Sequence, residues 1–375
     1  MLGFAEIIEK YKEVDDPRQE WKVKHKMIDI IMIVLLGMLG NANEWVEIEC
    51  FAQENEDILK KYLELANGIP SHDTIQRVMS LVNPKMLQDM QLEWMEMLNS
   101  GEGETLKKII NIDGKTMRGN GNKNQKAQHV VSAWSKADGV CFGQEVVKAK
   151  TNEITAIPEL LEKLNIKGQV ITIDAMGTQR KIAEQIKKQR GDYVLAVKGN
   201  QGILHEEIKT YFSDVDFCNE LELTGNYRVK KEKARNQIET RAYYQTNDID
   251  WMTTKKDWKG LTTIGMVQTT IEKDGKISVD RRYYISSLKL DIDLFEKAAR
   301  GHWAIESMHW HLDVTFREDS NATLERTASL NLNILRKFAL SILKLLDVGK
   351  KVSLKKKRFM VCCGGRKLID KLMSL

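Results

Sequence analysis

Two short isoleucine-rich runs each lead into an aspartate: Ile109-Ile110-Asn111-Ile112-Asp113 and Val170-Ile171-Thr172-Ile173-Asp174. Apolar, β-branched runs of this length read as core strands. Strands are depleted in Asp, because a carboxylate at a core strand is costly unless it is hydrogen-bonded, paired or bound to a cation. A single strand-end Asp is accounted for by a turn cap; two of them call for a joint explanation. If the two strands are neighbours, their backbones lie ~4.8 Å apart and both carboxylates reach one hard cation.

The surrounding periodicity sets the architecture. Residues 1–100 read as helical, with apolar residues at helical spacing over Met27–Leu39, Trp45–Leu65 and Thr74–Leu98, and with Ser71 or Asp73 capping the third after the Gly68 and Pro70 breaks. Past Gly101 to Gly103 the period changes. Ile109–Met117, Gln128–Trp134 and Phe142–Ala149 read as a strand meander, followed by helix Ile154–Leu164, strand Val170–Asp174, helix Gln179–Gln189 and strand Tyr193–Val197. From about 203 to 287 the pattern is β-rich: Tyr227–Arg235, Ile238–Gln245, Leu261–Ile271 and Ile277–Ser286. Helices resume near Asp293 and run to about Asp347, with a break near Asp319–Asn321. The expectation is a helical N-terminal domain over 1–100, an α/β domain over 101–348 with an all-β insertion at about 203–287, and a basic tail over 349–375.

Charge follows the same divisions. The 375 residues carry a net +5, but residues 1–100 hold 10 basic and 18 acidic side chains, while 349–375 hold 9 basic and 1 acidic. Bulk charge alone therefore does not define a nucleic-acid binder. The five cysteines form no CxxC pair, which disfavours a zinc site or disulfide framework and makes a reducing, cytoplasmic setting the default. The longest apolar run, Ile30 to Leu39, is ten residues, against the ~20 needed to span a bilayer. It also lies too far from Met1 for a signal peptide, so no membrane partner is expected.

A cation site needs a third acid, and the late helix offers a short repeat: His302-Trp303-Ala304-Ile305-Glu306, then His309-Trp310-His311-Leu312-Asp313. Seven-residue spacing puts His302, Glu306, His309 and Asp313 on one helix face, with ~20° of drift. Glu306 and Asp313 are then ~10.5 Å apart along the axis, too far to hold one metal pair whose ions sit ~3.5–4 Å apart; one acid is the ligand and the other its neighbour. The aromatic and aliphatic residues between them read as a packing surface. Other metal patterns fail on counting. Glu306-Ser307-Met308-His309 lacks the second copy that a di-iron bundle requires, His205-Glu206-Glu207 lacks the second histidine of HExxH, and Gly114-Lys115-Thr116 is preceded by Ile109 where a P-loop needs Gly. A carboxylate site without thiolates suits Mg²⁺ or Mn²⁺.

These residues resemble a known family, the H-repeat-associated transposases of bacterial insertion sequences, a branch of the DDE recombinases. The resemblance covers nearly the whole chain: Asp16-Pro17-Arg18 with His25, Pro70-Ser71-His72-Asp73-Thr74, Asn111-Ile112-Asp113-Gly114-Lys115, and Tyr193 through Gln201. Its most specific part is Arg300-Gly301-His302-Trp303-Ala304-Ile305-Glu306, continuing through His309-Trp310 and Leu312-Asp313-Val314 to Phe316 and Glu318-Asp319. It implies an RNase H-like fold in which Asp113, Asp174 and Glu306 are the catalytic, metal-binding acids, with an all-β insertion before the third. Asp113 would bridge two Mg²⁺ ions, and Asp174 and Glu306 would take one each. It further implies DNA strand cleavage and transfer, and a homodimer on double-stranded DNA. Two departures stand out: Ser307 replaces the Asn expected after the glutamate, and Ala234-Arg235-Asn236-Gln237 replaces a His-Gly-Arg-type approach to Ile238-Glu239-Thr240-Arg241.

Phosphate contacts are expected from Lys115, Arg118, Lys198 and His302, although a single basic residue is more often an ordinary solvated side chain. Arg228–Arg241, with six basic and two acidic residues and including Arg235 and Arg241, forms a candidate DNA-tracking β-ribbon. Trp251 and Trp258 are candidates for stacking on a base, against the commoner role of core packing. The helix within Ser71–Val82 is a candidate for reading DNA ends or for dimer contacts. Two other functions share these residues: a catalytically silent or domesticated DNA-binding remnant, and a metal-dependent nuclease without strand transfer.

Overall fold

The structure, a computed structural model, describes residues 4–14, 16–99, 109–148, 152–234, 237–364 and 366–373. Its N-terminal region is helical: α1 (Phe4–Tyr11), α2 (Met27–Leu39), α3 (Trp45–Glu54), α4 (Glu56–Leu59), α5 (His72–Met79) and α6 (Pro84–Asn99). All 13 residues of α2 are buried, as expected of a helix apolar on every side. The two longer expected helices are each divided. Trp45–Leu65 breaks at Asn55, and the 74–98 segment breaks before Pro84, which begins α6 where a missing N–H costs nothing. Ser71, not Asp73, caps α5, its hydroxyl accepting from the Thr74 N–H.

The sheet strands are β1 (Ile109–Met117), β2 (Gln128–Ser135), β3 (Val140–Val146), β4 (Val170–Ile173), β5 (Asp192–Val197), β6 (Tyr227–Ala234), β7 (Gln237–Thr246), β8 (Thr263–Lys273) and β9 (Lys276–Ser286). The order across the nine-stranded sheet is β3-β2-β1-β4-β5-β9-β8-β7-β6. β1, β4 and β5 are parallel; every other pairing is antiparallel. Helices α7 (Glu153–Glu162) and α8 (Arg180–Lys188) follow β3 and β4 and pack on one face. The 23-residue α11 (Ile292–Val314) packs Phe295, Ala298 and Ala299 on the other.

The expected all-β insertion is corrected in two respects. It opens with two helices, α9 (Gly202–Tyr211) and α10 (Val215–Leu223), and its strands are not a separate sheet, because β9 pairs with β5 and extends the main one. Polar helix faces after the strand-like run had weakened the periodicity there, and pairing across 90 residues leaves no local trace. The β8–β9 hairpin turns through Asp274-Gly275, both at positive φ (49° and 75°), the pattern of a two-residue type I′ turn.

The basic tail is helical over most of its length. It folds as α13 (Leu354–Gly364) and α14 (Arg366–Met373), and with α12 (Arg326–Leu345) it completes the core of the N-terminal helices. Arg358 is fully buried. Its Nε donates to Met38 O (2.8 Å), Nη1 to Thr315 O, and Nη2 to Asn43 Oδ1 (3.0 Å), so one guanidinium sits against the C-terminal ends of both α2 and α11.

Candidate active site

Parallel pairing sets Ile112 of β1 opposite Ile173 of β4, so the next residues, Asp113 and Asp174, emerge side by side. Asp174 stands in a tight turn in which its Oδ1 accepts from the Gly177 N–H (3.0 Å). α11 crosses above them, and Glu306 from its middle lines the same cavity of about 310 Å³ as Asp113 and Asp174. Of the two helix acids, Glu306 therefore shares the cavity with the two aspartates and Asp313 does not.

The electrostatics of the cavity are dominated by negative charge. Burial, then Asp174, Glu153 and Glu306, push the Asp113 carboxyl up to about 7, against the pull of the Gly114 N–H. A divalent cation relieves such crowding, and an all-oxygen donor set suits a hard one. Among the described residues, no three acidic, imidazole or thiol groups are grouped closely enough to hold one ion; the acids converge on the cavity without closing around a point.

Two histidines of α11 flank the acids, and both are neutral at pH 7. Burial pushes His309 down to about 3, so its contact with Asp113 (Nδ1 to Oδ2, 3.5 Å) joins a neutral imidazole to a carboxyl. His302 is pushed down to about 4 by burial, with Asp174 opposing and Arg282 assisting. Its partners fix its tautomer. Asn111 Nδ2 donates to Trp134 O (3.0 Å), Thr172 Oγ1 donates to Asn111 Oδ1 (2.8 Å), and His302 Nδ1 is then the donor toward Thr172 Oγ1 (3.3 Å). Nε2 is left as a lone pair, which contributes no positive charge to a phosphate.

The expected basic residues divide sharply. Lys198, exposed just past β5, lines the cavity, as do Arg281 and Arg282 of β9, which sequence patterning had not singled out. Arg118 is exposed at 82%, near Asp319. Lys115 is enclosed by Asp313 (2.7 Å), Glu318 (3.1 Å) and Asp319 (3.2 Å), and the phosphate contact expected of it has no support in this geometry. Arg241 is buried between Glu232 (3.0 Å) and Glu239 and packs on the Trp303 ring, so it too is taken up internally. Arg235 lies outside the described residues. Elsewhere in the ribbon, Arg228 pairs with Asp293 and Lys230 with Glu296 (2.5 Å), which uses up much of its expected positive charge. Trp258 is core; Trp251, 42% exposed, stacks on Tyr211 at 5.5 Å.

Sequence reasoning also missed Glu153, the first residue of α7. It pairs with His129 (2.6 Å), whose other ring nitrogen meets Thr116 Oγ1 (2.8 Å). A Cβ at Gly114 would fall 2.3 Å from Glu153 Oε1 and 2.4 Å from His129 Nε2, so any larger residue after Asp113 would push the ends of this pair aside. The only signal in the sequence was the Asp113-Gly114 dipeptide.

Residues 8–95 match the family described as DDE_Tnp_1-associated, and residues 104–342 match the Transposase DDE domain. An Escherichia coli protein named "Putative transposase YncI" is 39% identical over 92% of this chain and 88% of its own. Another, "H repeat-associated putative transposase YhhI", is 37% identical over 91% of each. The chain belongs to the H repeat-associated DDE transposases. Membership in the DDE transposases implies divalent-metal dependence in general terms, which the acid-lined cavity of this transposase fits. A piggyBac transposase synaptic complex with hairpin DNA covers 98% of this chain and 78% of its own at 11% identity, but with a TM-score of 0.39 the likeness is too slight to carry an argument. Among the described residues, no helix is long and apolar enough to cross a membrane.

Proposed function

We propose that this transposase cleaves DNA strands at the ends of an insertion sequence and joins them to target DNA, with Asp113, Asp174 and Glu306 as its catalytic acids. One observation carries the reading: acids from β1, from the end of β4 and from the middle of α11 line one cavity whose remaining wall includes Lys198, Arg281 and Arg282. The core strands β3-β2-β1-β4-β5 support an RNase H-like reading of the fold, with two acids on its central parallel pair.

The three acids would hold Mg²⁺, as two ions with Mn²⁺ substituting. Bound there, such ions lower the pKa of the attacking water or 3′-hydroxyl and offset charge on the leaving oxygen. The chain supplies the rest. Lys198 and Arg281 present cations to the phosphates of double-stranded DNA, and Arg118 does so further out. His302, which lines the cavity, would leave its Nε2 lone pair as an acceptor for a hydroxyl proton, in place of the phosphate contact expected of it. A homodimer would bring two such cavities to paired transposon ends.

Incubation with Mg²⁺ and duplex carrying the element's inverted repeats tests this. The wild type is expected to give cleaved and joined products, and Asp113→Ala neither. Cleavage without joining would favour a nuclease. A silent remnant has its own motive, since a relative named "Inactive transposase YbfQ" is 41% identical over 79 residues, and it predicts DNA binding with no products.

A further inference from the structure

Asn111, Asp113 and Lys115 alternate onto one face of β1, and each meets a successive part of α11. A Cβ at Gly301 would touch Asn111 Oδ1 at 3.3 Å, His309 Nδ1 is 3.5 Å from Asp113, and Asp313 Oδ1 is 2.7 Å from Lys115 Nζ. The helix therefore runs along the strand in register, with Glu306 between its first and second contacts. The first contact is a bare glycine and the second a single approach of 3.5 Å between a ring nitrogen and one carboxyl oxygen. The third is of another kind. The Lys115 ammonium lies 2.7, 3.1 and 3.2 Å from the carboxylates of Asp313, Glu318 and Asp319, and donates to Asp319 Oδ1.

Behind it the network continues inward. Glu318, with a side chain 1% exposed, accepts from Asn333 Nδ2 (2.8 Å) and lies 3.6 Å from Arg336 of α12. Breaking a buried pair by removing one partner is strongly unfavourable, so Lys115 is not free to swing out to a phosphate. We infer that Lys115 is a positioning residue: with Asp313, Glu318 and Asp319 it locks the register of α11 on β1 and so holds Glu306 at the height of Asp113. This rests on the transposase reading of the three acids, while the lock itself is a property of the fold.

The test compares full-length Lys115→Met with the milder Asp313→Asn, which leaves Lys115 its two other carboxylates and keeps the side-chain volume. Four measurements are made: duplex affinity against salt without divalent ions, Mn²⁺ affinity, the single-turnover rate of Mg²⁺-dependent cleavage, and hydrogen exchange over 301–314. Both variants are expected to bind DNA within about twofold of the wild type with the same salt slope, since no phosphate contact is lost. Both should bind Mn²⁺ about tenfold or more weaker. Their cleavage should slow by about 100-fold, the scale of a ~1 Å misplacement, and exchange over 301–314 should quicken. A weaker, less salt-sensitive DNA affinity in Lys115→Met alone would make Lys115 a phosphate contact and overturn the inference. Unchanged exchange in both variants overturns it whatever the chemistry does. A wild type that neither binds Mn²⁺ nor cleaves refutes the transposase reading instead, and the exchange result still decides the lock.

Discussion

Replacing Asp113 by Asn should stabilise the metal-free protein, and by an amount that depends on pH in a prescribed way. In the native state the Asp113 carboxyl is lifted from 3.8 to about 7, by burial and by the facing carboxylates of Asp174, Glu153 and Glu306. A raised native pKa means that the folded chain holds this proton more tightly than the unfolded chain, so stability falls as pH rises between those two values. At ~1.36 kcal/mol per pH unit the full cost above pH 7 is about 4 kcal/mol, an upper bound because 21% of the side chain remains exposed to screening solvent. Asn carries no charge at any pH and escapes the cost. The advantage of Asp113→Asn over wild type should be near zero below pH 4 and reach its plateau above pH 7. With ~2.1 cal/mol/K of unfolding entropy per residue, the plateau is about 5 °C in Tm for a chain of 375 residues. Thermal melts in EDTA from pH 4 to pH 8 measure it. Mg²⁺ at 100 times its Kd should then raise the wild-type stability by about 2.7 kcal/mol and leave the variant nearly unmoved. A variant whose advantage is flat with pH, or a wild type indifferent to Mg²⁺, would refute the picture of a carboxylate cluster that needs a cation.

Arg358→Ala leaves buried acceptors at the ends of two helices without their donor, and should destabilise the chain by about 3 kcal/mol or more; a urea titration showing less than about 1 kcal/mol would contradict the pinning role. Gly114→Ala forces a methyl group against Glu153 and His129, and single-turnover cleavage should fall by about 100-fold with the circular dichroism spectrum retained. Lys198→Ala should weaken duplex binding and lower the salt slope by about 1 with Tm unchanged, and an unaltered slope would remove Lys198 from the phosphate path.

What the sequence disclosed depended on the range of the interaction involved. Helix and strand ends were legible to within a few residues wherever side-chain period is set by near neighbours, as in α2, β1 and β9. The two aspartates were legible because an acid after an isoleucine run is costly wherever that run is buried. The union of β5 with β9 was not, because pairing of Val194 with Ser286 leaves no periodicity in either segment. Glu153 was hidden for a similar reason: its importance comes from standing across Gly114, and nothing near it in the chain marks that. The break at Pro84 is legible in the residue itself but masked by apolar spacing that continues on both sides.

The basic residues show why counting charge along a chain misleads about what it can bind. A cation contributes to phosphate binding only if it exchanges water for phosphate, and a lysine already surrounded by carboxylates must give those up first. Lys115 and Arg241, near Asp113 and Trp303 in space, look like phosphate ligands by their sequence positions, but each has at least two carboxylates within reach. Arg358 belongs to a run of basic residues yet donates to helix carbonyls and one amide oxygen. Removing the tail should therefore do more than remove positive charge. It should expose α2 and release the end of α11, so that truncation before residue 349 costs folding of the helical region together with chemistry at Glu306.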